Sequence, residues 1–513
     1  MRMNVSFGTR SAIAFAVFVG LFLISPSRMV AQNPGQKAVY GPNGLTGSAV
    51  WVDASAWWNG TSVPDLCSII QLNILTSGYG SSYLNGTVID ARGLAYGVQR
   101  GTQTACSVNP FGALTGPPPS TTLLLPSGFV DTNVTWVVPN NTTLIGDEQG
   151  TTIRARDPQS GDFQGSYIIE MGGTNTINGT VYPLCPGGIC TGVGVEHLFL
   201  DGSLVTDVGG IQNQYSQDGS YVNEVNLYSF SQTGLAIAAP SPGNYPGATN
   251  SGPYSNINFI SNSNAPACID LEVQTQGIHG VTCIGNSSTT ANPYTAILVN
   301  ASNNSIEDLH VEGYWDGIEV GQLNTATVAN ILISNVTGTT SGTGSNARNT
   351  KNTVHLCGPS PLGSTFGNCA GNYGTANVKD VTVLQAMNAS GPQTTTVVDD
   401  VSKNAIISCL TLNQQNQPVP GCAIPLSTAM YVLGEPDAGS TTTNPAYTKF
   451  TSSPTTLNGN YNYGSSYMPT WAVWTSLPDQ DSCSPVGAIY SQTGHNGRSV
   501  YVCNAGGVWI TIR

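Results

Sequence analysis

The sequence predicts an all-β chain wound into a right-handed parallel β-helix, a solenoid, with a small C-terminal β module. Three observations predict it. The chain holds 60 glycines, and charged residues make up only 8% of its 513 positions, a composition that favours short strands and tight turns over helices. No run beyond residue 31 carries 3.6-residue apolar periodicity. Short alternating strands recur instead, as EHLFL, NEVNLYSF, SNINFIS, HGVTCIG, EDLHVEG, ANILISN, KDVTVLQ and NAIISCL, at a period of about 25 residues that marks one coil of a stack.

Residues 1–31 read as an export signal. Arg2 and Arg10 give a basic start, residues 11–24 form an apolar run too short to span a bilayer, and Ala31 closes a small-residue cleavage site. No later stretch approaches spanning length, so the mature chain is expected to be secreted or on the extracellular surface. Removing the signal takes away three arginines and leaves 12 basic against 28 acidic residues, a net charge of −16. Such a surface repels nucleic acid and anionic membranes and fits neutral polysaccharides better than strongly anionic ones unless calcium mediates the contact. Calcium is thus a possible cofactor, and none is required.

Residues 32–120 are expected to cap the solenoid and lead into it, and residues 121–430 to form the coils. Leu198, Val225, Ile257, Val281, Leu309, Ile331, Val381 and Ile406 are expected as equivalent inward positions, with steps of 27, 32, 24, 28, 22, 50 and 25. The step of 50 reads as two coils with an excursion between them. A second strand follows in most repeats, as TGLAIA, ACIDLEV, TAILVN, DGIEVG and NTVHLC. No single repeat can bury its own aliphatics, but stacked coils bury a continuous column. Asn256, Asn258, Asn303 and Asn304 fit polar ladders beside the turns. Asn59, Asn133, Asn178 and Asn335 sit in Asn-x-Ser/Thr, which reads as turn chemistry or, in a eukaryotic host, as glycosylation.

Residues 431–475, rich in Thr, Ser, Asn, Gly and Pro, are expected to be a linker or strap. Residues 476–513 offer three short strands in a disulfide-linked module suited to capping, assembly or surface attachment. Twelve cysteines in an exported chain suggest disulfides between sequence neighbours: Cys67–Cys106, Cys185–Cys190, Cys268–Cys283, Cys357–Cys369, Cys409–Cys422 and Cys483–Cys503. A zinc site is disfavoured, because CPGGIC has no second pair or nearby histidines.

Three stretches, "NGTVIDARGL" (85–94), "TTLLLPSGFV" (121–130) and "TWVVPNNTTLIGDEQGTTIRA" (135–155), are similar to the opening series of the pectate-lyase-like superfamily. The resemblance implies a secreted single-stranded β-helix over roughly residues 50–430. It implies no particular activity, since that superfamily includes lyases, hydrolases, epimerases, phage tailspikes and adhesins. The polygalacturonase signature is not matched: Asp399-Asp400 follows rather than precedes His279-Gly280, and no Asn-Thr-Asp occurs. Calcium-dependent pectate lyases use an arginine beside an aspartate cluster, yet Arg348 is the only arginine between Arg156 and Arg498. No catalytic residue is carried over.

The stretch "SIEDLHVEGYWDGIEVGQ" (305–322) concentrates the chemistry. With Leu309 and Val311 inward, alternation turns Asp308, His310 and Glu312 outward; with Ile318 and Val320 inward, Glu319 faces solvent. These four are the candidate catalytic residues. Outward residues two apart have backbones about 6.5–7 Å from each other, within the roughly 5–9.5 Å that a glycosidase pair requires. Glu319 or Asp316 approaching across the corner would raise one carboxyl pKa. Tyr314 and Trp315 offer a flat apolar face to a sugar ring, and Asp270 and Glu272 extend the same acidic groove two coils earlier.

Other candidates are Asp399-Asp400, as calcium ligands or turn residues, and His279, expected inward beside Val281. Glu196 and His197 read as structural. The chain has no P-loop, dinucleotide fingerprint or Gly-x-Ser-x-Gly. Two functions stay open: an exported hydrolase or lyase acting on polysaccharide, and a non-catalytic adhesin-like or carbohydrate-binding rod.

Overall fold

The computed structural model describes residues 39–40, 51–58, 65–71, 86–95, 104–118, 120–147, 150–156, 163–238, 248–262, 267–286, 295–321, 327–342, 347–356, 377–390 and 395–399, and beyond these the backbone of strand segments between 405 and 512. The expected signal lies outside the described residues.

The chain is a right-handed parallel β-helix. Its strands form a long sheet of 20 and a short sheet of 10. The short sheet runs in simple chain order, through Val134–Val138, Gln164–Met171, Gly209–Asn213, Leu235–Ile237, Ile269–Leu271, Thr295–Val299, Asp316–Val320, Asn352–Leu356, Thr395–Asp399 and Cys422–Ala423. Each pairs in parallel with the next. Such an order arises when every coil adds one strand to each sheet.

The expected column of aliphatics is present. Leu198 pairs with Val225, Val225 with Ile257, and Val281 with Leu309, and all five are at most 2% exposed. Beyond Leu309 the register differs from the expected one. Leu309 sits opposite Val336, while Ile331 sits opposite Asn304. Ile331 does pair with Val381, but Ile406 pairs with Thr382. The strand Thr327–Ser341 is 15 residues long and offers two apolar runs, so alternation alone does not choose between them. The step of 50 is one coil rather than two: Thr327–Ser341 pairs directly with Asn377–Asn388, and the insertion between them carries the short-sheet strand Asn352–Leu356.

What chooses the register is a corner. His197, Glu224, Asn256, Gly280, Asp308, Asn335 and Gln385 all have φ between 52° and 62°, and the pairings on either side of each align them in one file down the long sheet. A left-handed residue breaks the two-residue alternation, so inward side chains across it stand three apart. Val195 and Leu198, Ile278 and Val281, Ile306 and Leu309, and Ile333 and Val336 are accordingly all buried. Asn and Asp tolerate this conformation, whereas other residues with a Cβ pay roughly 1–2 kcal/mol for it. The file is laced by side chains: Asn256 Nδ2 donates to Asn223 Oδ1 at 3.0 Å, and Asn335 Nδ2 to Asp308 Oδ1 at 2.5 Å.

Cys67–Cys106, Cys185–Cys190 and Cys268–Cys283 form as expected. The last joins the start of a short-sheet strand to the long-sheet strand Ile278–Asn286 through the core. The side chains of the other three expected pairs lie outside the described residues. At the C-terminal end, Asn460–Tyr461, Trp471–Trp474, Ile489–Gln492, Ser499–Cys503 and Trp509–Ile512 form a separate five-stranded sheet, which takes in two strands from the segment expected to be a strap. Among the described residues no helix is long and apolar enough to cross a membrane.

Replacing Leu309 by Ala should lower stability by about 2–5 kcal/mol, as a cavity in a stacked core does. Thr282→Ala, on the outer side of the neighbouring strand, should shift it by less than about 0.5 kcal/mol. Urea unfolding reads both; similar losses would contradict the column.

Candidate functional site

The stretch 305–322 straddles two faces. Asn304–Glu312 belongs to the long sheet and Asp316–Val320 to the short one, with Gly313 at the corner between them, at φ 72°. Asp308, His310 and Glu312 therefore share a face with one another and not with Glu319. Asp308 is exposed in its left-handed bend and is held by Asn335. His310 Nε2 lies 2.9 Å from Glu312 Oε1 and 3.3 Å from Thr339 Oγ1. All three point outward, as expected.

Other expectations are corrected. Tyr314 is fully buried in the core and gives no face to a sugar; a large ring fills the space the corner opens between the sheets. Burial holds its hydroxyl far above the ordinary range. Trp315 is half-buried, and its Nε1 is enclosed with no partner among the described residues. His279 points outward, its Nδ1 3.8 Å from Glu307 Oε2, because the bend at Gly280 brings Ile278 and Val281 inward instead. His197 also stands outside, with Nδ1 3.0 Å from Glu224 Oε2.

Asp316 and Glu319 are completely buried rather than solvent-facing. They belong to a sealed polar cluster. Asn352 Nδ2 donates to Asp316 Oδ1 at 2.6 Å, His355 Nδ1 lies 3.2 Å from Asp316 Oδ2, and Thr295 Oγ1 donates to Glu319 Oε2 at 2.5 Å. Burial, followed by the charge of Asp316, pushes the Glu319 carboxyl up to about 7. His355 stands directly opposite Glu319. The equivalence of NTVHLC with DGIEVG was the signal that could have found it.

The cluster continues a row along the short sheet. Glu170, Gln212, Ala236, Asp270, Leu298, Glu319 and His355 are successive register partners. Asp270 and Glu319 are two strands apart, about 10 Å between backbones. Asp270 is raised to about 7, by burial first and then by the charge of Glu272. Its Oδ1 is enclosed without a hydrogen-bond partner among the described residues. Glu272, two positions further along, is exposed, and what burial it has raises its pKa. Burial also raises Glu170.

Tyr167 completes this part and was not foreseen. From the strand Gln164–Met171 its ring lies across Gly209, where a Cβ would fall 2.4 Å from it. A glycine is what lets the ring cross that strand. Its hydroxyl is bonded to Thr233, and burial, then the charge of Asp270, pushes it up to about 12. The arrangement brings together a carboxyl whose pKa burial raises to about 7, an exposed carboxyl two residues on, and a tyrosine that feels the charge of both. No group of three His, Cys, Asp or Glu suited to a metal ion occurs among the described residues. The side chains of Asp399 and Asp400 lie outside those residues.

The parallel β-helix expected from residues 85–155 is the fold observed. The chain is similar to the surface adhesin PfbA of Streptococcus pneumoniae, at 10% identity and a TM-score of 0.38, over 77% of this chain and 90% of that one. It is similar to the A-module of the mannuronan C-5 epimerase AlgE4 of Azotobacter vinelandii, at 11% identity and a TM-score of 0.36, over 75% and 94%. It is also similar to a tailspike protein of E. coli bacteriophage HK620, at 13% identity and a TM-score of 0.38, over 81% and 70%. None of these transfers a residue role to this chain. No known family profile and no curated protein sequence matches it.

Because the folded state keeps Glu319 protonated up to about 7 while the unfolded chain releases that proton near the usual carboxylate value, the native state binds more protons between the two. Stability is therefore greatest below that interval and falls as pH rises through it. Glu319→Gln should flatten the fall between about pH 5 and pH 8, in thermal unfolding measured at both ends. An unchanged pH slope would contradict the assignment.

Proposed function

We propose that the protein is exported and binds and processes an extracellular polysaccharide laid along the outer face of the short sheet, at Asp270 and Glu272. Three disulfides among the described residues fit an oxidising compartment. The observation that carries the site is the Asp270–Glu272 pair: one carboxyl raised to about 7 and beside it an exposed one. Asp270 is the acid, giving its proton to the glycosidic oxygen as the bond to the sugar breaks. Glu272 is the ionised partner, acting on a water or on the anomeric carbon. Their backbones are about 6.5–7 Å apart, at the lower end of the roughly 6.5–9.5 Å separation of an inverting carboxyl pair.

A second reading, a non-catalytic binding rod, draws on the opposite face. Phe129 and Tyr228 are 37% and 39% exposed on the long sheet, and the rings of Phe199 and Tyr228 stand 6.0 Å apart. Aromatic faces of this kind hold sugars without cleaving them.

The two readings separate on a polysaccharide panel, with and without calcium, following reducing ends and unsaturated products. Asp270→Asn should lower turnover by about 100-fold or more, and Glu272→Gln comparably, while Glu312→Gln leaves it unchanged. Turnover unaffected in Asp270→Asn would remove the catalytic reading. Binding without turnover, lost in Phe199→Ala with Tyr228→Ala, would establish the second.

A further inference from the structure

Two contacts on the short sheet share one geometry. Leu298 is the register partner of Glu319, and Thr295, three residues before Leu298, gives its hydroxyl proton to Glu319. Glu319 is in turn the register partner of His355, and Asp316, three residues before Glu319, is the group that meets His355. A side chain in this row is thus met by the residue three positions before its partner on the preceding strand.

The same geometry assigns Thr233 to Asp270. Ala236 is the register partner of Asp270, and Thr233 stands three residues before it, buried. Yet Asp270 Oδ1 is enclosed without a hydrogen-bond partner among the described residues. The difference is Tyr167. Its ring crosses its own register partner, Gly209, where a Cβ would fall 2.4 Å from it, and its hydroxyl is bonded to Thr233 on the strand beyond. A hydroxyl has one proton to give. Thr295 has no such rival, because the side chain two strands before it at that level is Thr233, too short to cross the intervening strand, a span of about 10 Å.

We infer that Tyr167 is a positioning residue for the acid: it holds the Thr233 hydroxyl away from Asp270 and leaves that carboxyl without the donor that Glu319 has. This rests on the reading that Asp270 gives its proton to the glycosidic oxygen, and it goes beyond that reading by naming what keeps the proton in place. A hydroxyl donated to a carboxylate favours the ionised form, so withholding it lets the carboxyl keep its proton to higher pH. Among the described residues, the titratable groups that face Asp270 are Glu272 on its own strand and Tyr167. Its register partners on the flanking strands, Ala236 and Leu298, carry no charge. The charge of Glu272 and the withheld donor act in the same direction.

The test is the titration of Asp270 in the whole protein, followed by carbon-13 NMR of selectively labelled aspartate carboxyls and assigned by the signal that Asp270→Asn removes. The wild-type midpoint should lie at about 7. Tyr167→Phe keeps the ring over Gly209 and frees Thr233, so the midpoint should fall by about one pH unit. Adding Thr233→Val takes away the freed donor and should restore the wild-type midpoint. The alkaline limb of polysaccharide turnover should move down with Tyr167→Phe and return in the double variant, since the acid works only while protonated. Circular dichroism checks that both variants fold.

An unchanged midpoint in Tyr167→Phe overturns the inference. A midpoint lowered equally in the single and double variants also overturns it, because water admitted beside the ring, and not Thr233, would then set the value. Both outcomes are read from the titration and leave the site standing. The site is judged by a different measurement: turnover unaffected in Asp270→Asn removes the acid, and with it the role of Tyr167, whatever the midpoints.

Discussion

Everything in this molecule depends on one constraint: each coil must satisfy its backbone hydrogen bonds on the coil before and the coil after. A parallel ladder tolerates that only if successive coils turn their corners at the same place. The file of left-handed residues from His197 to Gln385 is the visible result. It recurs whether the residue is Gly, Asn, Asp or His, which accept the conformation more readily, or Glu and Gln, which do not. The stack imposes the bend even where local preference opposes it, and inward aliphatics three apart across each bend hold it there.

The same stacking creates the chemistry. A ladder places like positions over like positions, so acids occurring at one register form a row. Glu170, Asp270 and Glu319 lie in such a row on the short sheet. Flanked by other side chains rather than by water, each is shifted toward its neutral form. The row divides by environment: around Glu319 the polar groups are matched and sealed, whereas at Asp270 an acceptor has no partner among the described residues and the neighbouring Glu272 is open to solvent. That contrast favours Asp270 over the more crowded stretch 305–322 as the place where a ligand is met.

Much of the fold was legible in the sequence because its signals are local. The coil length, the short strands and the three disulfides between cysteines near in sequence follow from composition and spacing, and the outward directions of Asp308, His310 and Glu312 follow from alternation. What was illegible has a common cause. A left-handed residue changes the inward spacing from two to three, and nothing in Gly280 or Asp308 by itself announces this. Hence His279 was expected inside and Leu309 opposite Ile331. The burial of Asp316, Glu319 and Tyr314 was hidden for a different reason: it depends on how one coil's corner is filled and covered by residues distant in sequence. The Tyr167–Gly209 crossing joins residues 42 positions apart and has no local pattern at all.

The central claim, that the corner file sets the register of the coils, is tested most directly by paired cysteines. Asp308→Cys with Asn335→Cys should cross-link under mild oxidation, since those two residues are stacked neighbours in the file. Asp308→Cys with Asn330→Cys should not, since Asn330 belongs beside Asn303. Peptide mass mapping distinguishes them. A cross-link in the second pair and none in the first would mean that the coils stack by aliphatic alternation alone.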